Sequence, residues 1–142
     1  MRLKLKRNTK TSYLIGFLSL LIIEILIANY INDDFIRPYL GDFLVVILIY
    51  CFLMFVSKVT VIKGLLIVLI FSFTIEFIQL INIANVLGYQ PPKLVMIILG
   101  SSFSFWDLLA YTLGVLFAGS LEFLISANKK SKARSMNSDF WQ

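Results

Sequence analysis

Four stretches of this chain stay apolar for close to the distance needed to cross a bilayer. Residues 12–30, 42–57, 64–81 and 106–126 carry few charges, and a helix rising 1.5 Å per residue needs about 20 such residues to traverse a hydrocarbon core of about 30 Å. Backbone N–H and C=O groups find no water in lipid, so each stretch must satisfy them internally as a helix. The spacing therefore predicts an all-α fold, a four-helix transmembrane bundle. Composition agrees, with 59% hydrophobic residues and only 15% charged. A chain of 142 residues with four spans leaves room for one membrane domain, flanked by basic tails over 1–11 and 127–142. The second and third spans are separated only by "SKVTVIK", and the chain must turn near Lys58 and Lys63.

Orientation follows from the basic residues. Arg2, Lys4, Lys6, Arg7 and Lys10 precede the first span, Lys58 and Lys63 lie in the second loop, and Lys129, Lys130, Lys132 and Arg134 follow the fourth. The first and third loops hold Arg37 and Lys93 alone. Eleven bases against two predict that both termini are cytoplasmic and that the first and third loops lie outside. Six of the eight acids fall toward the outer face, leaving Glu122 and Asp139 on the cytoplasmic side. The basic start could also introduce a signal peptide, but the apolar run is long, contains Glu24 and ends "IANYIND" without a small-residue cleavage pattern.

Histidine is absent, which excludes histidine-based proton chemistry and metal ligation. Cys51 is the only cysteine, so no intramolecular disulfide can form, and its setting in "LIYCFLMF" fits a small buried hydrophobe. No cofactor or metal motif is present, and no nucleic-acid motif accompanies the basic tails, which fit anionic lipid headgroups. The expected partners are membrane lipids, an envelope lipid intermediate among them, and a second copy of the chain.

The polar residues inside the spans carry what chemistry there is. Glu24 and Glu76 each sit about six residues, or about 9 Å, inside the outer end of their helices, and Asp42 and Asp107 stand at the outer starts of the second and fourth spans. Each span thus contributes one carboxylate to one layer. In "FTIEFIQL", residues 73–80, Glu76 and Gln79 share a face at i, i+3, with Ser72 one turn earlier. Asp107, Tyr111 and Gly114 fall at i, i+4, i+7, while Ala110, Gly114 and Ala118 form a small-xxx-small seam suited to close helix packing. Asp42 and Asp107 also read as helix N-caps. In the first outer loop, "NDDFIRPYLGD" puts Arg37 five residues before Asp42, and Pro38 and Gly41 suggest a tight re-entry that would offer Arg37 as counter-ion. In the third loop, Pro91 and Pro92 precede residues 94–99, an apolar run too short to span and expected to be interfacial or re-entrant.

Three stretches carry a resemblance. "FIRPYLGDFLVVILIYCFL" (35–53), "EFIQ" (76–79) and "LGSSFSFWDLLAYTLG" (99–114) resemble a family of small bacterial inner-membrane proteins catalogued as domain of unknown function 2809. More distantly, Glu-x-x-Gln, a short outer loop and an Asp followed by a helix with a glycine look like the VanZ-like proteins, which are linked to altered glycopeptide susceptibility. On that pattern Glu76, Gln79, Asp107 and Gly114 occupy the matching positions. The patterns also imply a basic residue shortly before the Asp, near Met96, where this chain offers only Lys93.

A carboxylate at mid-bilayer costs about 2.5–3.5 kcal/mol even on lenient scales, whereas an interhelical hydrogen bond returns about 0.6 kcal/mol. Register alone is a weak reason to keep such residues. The expected candidate site is Glu76, Gln79, Asp107, Arg37, Asp42 and Tyr111, open to the outer leaflet and receiving an envelope lipid or lipid-linked glycan. A proton-coupled carrier in which Glu76 titrates, a purely structural membrane subunit, and a membrane enzyme working through paired carboxylates are the alternatives.

Overall fold

A computed structural model describes residues 8–81 and 104–141. Lys93, Pro91, Pro92, the 94–99 run and the basic residues before Asn8 lie outside the described residues. Regular structure among those described is entirely α-helical, in four helices: α1 (Lys10–Tyr30), α2 (Ile36–Val56), α3 (Val61–Ile81) and α4 (Phe105–Asp139). All four are long and apolar enough to cross a membrane. At 21 residues, α1, α2 and α3 are each about 31 Å long, which matches the hydrocarbon thickness.

Local chemistry sets the ends. Thr9 caps α1, its hydroxyl accepting from the Ser12 N–H. Asp33 prepares α2, its carboxylate accepting from the Phe35 N–H at 2.9 Å. Thr60 begins α3 by accepting from the backbone of Lys63 and Gly64. Ser104 caps α4 by accepting from the Trp106 N–H at 3.2 Å.

Two boundaries differ from those read off the sequence. The second helix begins at Ile36, not at residue 42, so Arg37, Pro38 and Gly41 are helical and make no re-entry turn. Pro38 is the third residue of α2, where its missing N–H would have had no acceptor within the helix anyway. Helix α4 continues past residue 126 to Asp139. Residues 127–139 contain neither Gly nor Pro, and polarity marks where the membrane ends, not where a helix must stop.

Helix α2 packs against each of the other three, α3 also packs on α4, and among the described helices the α1 backbone lies against α2 alone. Between them sits a core that includes Val46, Met54, Val61, Val68 and Ala118. Large apolar side chains such as Ile22, Ile25, Phe77 and Leu116 point outward, an arrangement that suits lipid as the surrounding medium. The buried residues of α4 are Ala110, Gly114, Ala118, Glu122 and Ser126, one every four positions. Gly114 lets α4 come closest to α2, since a Cβ there would lie 2.7 Å from the Phe43 carbonyl oxygen.

Candidate functional site

Buried polar groups gather at two levels of the bundle. At the level of the α1–α2 connection, helices α2, α3 and α4 bring three carboxylates together. The Asp42 and Asp107 carboxyl groups lie within hydrogen-bonding reach of each other, and Asp42 also lies within electrostatic range of Glu76 and Glu24. A contact between two acids requires something positive between them, a shared proton or an intervening cation. Glu76 is only 1% exposed. Its Oε1 accepts from the Tyr111 hydroxyl at 3.1 Å, while its Oε2 is buried without a hydrogen bond. The Ser104 backbone approaches this carboxylate without closing a bond to Oε2.

The helical geometry explains who takes part. Asp42 is in the second turn of α2 and is not its cap, so its side chain is directed by the helix face that meets α4. Asp107 is the third residue of α4, joined to the hydroxyl of the Ser104 cap. Gln79 lies one turn beyond Glu76, half-buried. Arg37 is exposed and forms no ion pair with these acids among the described residues. On a continuous helix it stands five residues, or about 140°, around the axis from Asp42, so the counter-ion role read from a loop does not arise here. Glu24 reaches α2 from α1, its Oε2 lying 3.9 Å from where a Cβ on Gly41 would be. Its Oε1 is buried without a hydrogen-bond partner.

Beside this cluster an apolar groove of about 430 Å³ runs along the α2–α4 seam. Its walls include Tyr39, Phe43, Trp106, Ala110 and Leu113, with the Tyr39 and Trp106 rings edge to face at 6.5 Å. Asp42 and Asp107 stand on the same two helices as this groove without lining it.

The second level lies where the N-terminus meets the far half of α4. Counting acids by loop assigns Glu122 to the cytoplasmic side; the structure buries it at 4% exposure. Its Oε1 accepts from the hydroxyls of Tyr13 at 2.7 Å and Tyr50 at 2.8 Å, and its Oε2 accepts from the Asn8 side-chain amide at 2.8 Å. Lys129 then donates to the Asn8 side-chain oxygen at 2.6 Å. Sequence reasoning missed this network, although a signal was present. Extending the Ala110, Gly114, Ala118 spacing by one more step lands on Glu122. The half of the bundle away from the α1–α2 connection is thus not uniformly apolar.

The sequence model of a family described as "Protein of unknown function (DUF2809)" matches residues 31–115, more than half of the chain. The chain belongs to the DUF2809 family. In this DUF2809 protein the matched segment holds α2, α3 and the start of α4, and with them Asp42, Glu76, Gln79, Asp107, Tyr111 and Gly114. Asn8, Tyr13 and Glu122 fall outside it, and Tyr50 within. No solved structure matches this DUF2809 chain.

Proposed function

We propose that this DUF2809 chain is a bacterial inner-membrane protein with both termini in the cytoplasm, whose acidic site faces the outer leaflet and holds the polar headgroup of an envelope lipid or lipid-linked glycan. The excess of Lys and Arg on the side of the termini supports the orientation, and the VanZ-like pattern supports an envelope role. The observation that carries the reading is Glu76. It is almost completely buried, it lies within electrostatic range of two further carboxylates, and one of its oxygens makes no hydrogen bond. Groups of this kind inside a membrane mark functional sites by default, because their burial cost exceeds what helix pairing returns. The α2–α4 groove, on the helices that carry Asp42 and Asp107, offers a place for the ligand's chain.

Native mass spectrometry with lipid identification tests the reading, comparing the wild type with Glu76→Ala alongside the thermal stability of both. A defined lipid retained by the wild type and lost by an equally stable variant is the expected result. Equal lipid retention by both removes the headgroup from Glu76.

The buried Glu122 network favours one alternative, a proton-coupled carrier with buried carboxyl groups at both levels of the bundle. The layer between the two sites contains Val46, Val68 and Ala118, which carry no proton, so that reading requires a conformation that wets this layer. Proton flux in proteoliposomes that survives Glu76→Gln unchanged disposes of it.

A further inference from the structure

We propose that the headgroup taken by this site carries a primary ammonium, so that the ligand is an amine-bearing lipid; the inference rests on the lipid-binding reading above. Acceptors outnumber donors in the cluster. Asp42, Asp107 and Glu76 contribute carboxyl oxygens, the Tyr111 hydroxyl is already given to Glu76 Oε1, and the Ser104 hydroxyl is taken by Asp107. Glu76 Oε2 remains buried without a hydrogen bond, on a side chain that is 1% exposed and within electrostatic range of Asp42 and Asp107. A donor for Oε2 is then missing from the site as it stands, and the contact between Asp42 and Asp107 takes either a shared proton or a cation. No described Lys or Arg supplies the donor or the cation, since Arg37 is exposed on another face of α2. An ammonium group supplies both, with one charge and three N–H donors that can reach separate carboxyl oxygens. A quaternary amine brings the charge without the donors, and a glycerol headgroup brings donors with a net negative charge. Both are therefore discriminated against, the second also by repulsion. The groove walled by Tyr39, Phe43, Trp106 and Leu113 on the same two helices takes the lipid's chain.

The test uses the full-length protein in detergent with phosphatidylethanolamine, phosphatidylcholine and phosphatidylglycerol of matched chains, read by native mass spectrometry and by the rise in Tm on addition. Phosphatidylethanolamine should bind about tenfold or more tightly than the other two, as expected for hydrogen bonds to charged groups. Glu76→Gln, and independently Asp107→Asn, should bring the three lipids to parity. The wild-type comparison needs no variant, and Asp107→Asn serves if Glu76→Gln does not fold. Equal binding of phosphatidylcholine or phosphatidylglycerol by the wild type overturns the ammonium assignment while leaving a lipid site in place. Failure to retain any lipid overturns both. A preference that survives both substitutions places the amine elsewhere and overturns the inference as well.

Discussion

Tyr13 and Glu122, 109 positions apart in the chain, meet at 2.7 Å through a hydroxyl donating to a carboxylate. Tyr50 donates to the same oxygen, with its ring edge to face against that of Tyr13 at 6.1 Å. One buried carboxylate therefore ties together α1, α2 and α4, although among the described helices the α1 backbone packs only on α2. The N-terminal Asn8 closes the remaining oxygen.

Removing one of two donors leaves the other in place, and removing both strands a buried charge. Tyr13→Phe or Tyr50→Phe should each cost about 1–2 kcal/mol, and the double variant about 3–5 kcal/mol, more than the sum. Reversible unfolding in mixed micelles, read as a double-mutant cycle, checks this. Additive losses would show that the two tyrosines act independently.

Asn8 and Lys129 test how far the network reaches toward solvent. Asn8→Ala deprives Glu122 Oε2 of its donor and should cost about 1–2 kcal/mol. Lys129→Ala removes an exposed bond to the Asn8 side chain and should cost under about 1 kcal/mol. The ranking in one unfolding assay is the prediction, and a larger loss for Lys129→Ala contradicts it.

Two glycines permit close approach for different reasons. A Cβ on Gly114 would meet the Phe43 backbone at 2.7 Å, and one on Gly64 would meet the Met54 sulfur at 2.8 Å. A thioether can move, whereas a carbonyl moves only with its helix. Gly114→Ala should therefore lose about 1–3 kcal/mol and Gly64→Ala less, as judged by Tm. Equal losses would mean that α2 and α4 separate easily at this crossing.

The proposed orientation has a chemical readout. In a Cys51→Ala background, Asn32→Cys between α1 and α2 should react with a membrane-impermeant maleimide on intact cells. Ser138→Cys at the end of α4 should react only after permeabilisation. The opposite pattern inverts the topology and moves the acidic cluster to the inner leaflet.

The number of spans was legible in the sequence because apolar length is a sufficient signal in lipid. The helix ends were less legible. Pro38 reads as a break, yet near a helix N-terminus it costs nothing, and "ANKKSKARSMNSD" reads as a tail although nothing in it stops a helix. The partners of Glu122 and the exposed setting of Arg37 were not legible for a related reason. Counting charges by loop places them along the membrane normal, while their partners depend on rotation about a helix axis, and that phase is fixed only once the helix boundaries are known. Glu76 with Tyr111 was partly readable, since i, i+3 and i+4 relations within helices are local. The unfilled Oε2 depends on packing between α3 and α4 and has no sequence signature.

The uninterrupted course of α4 makes it a shaft between the two polar levels. Tyr111 and Glu122 belong to the same helix, separated by three turns, about 16 Å in height and about 20° in azimuth. A rotation of α4 that withdraws Tyr111 from Glu76 must also swing Glu122 away from Tyr13 and Tyr50. Whatever occupies one end of the shaft biases the other mechanically, without any polar path through the apolar layer between them.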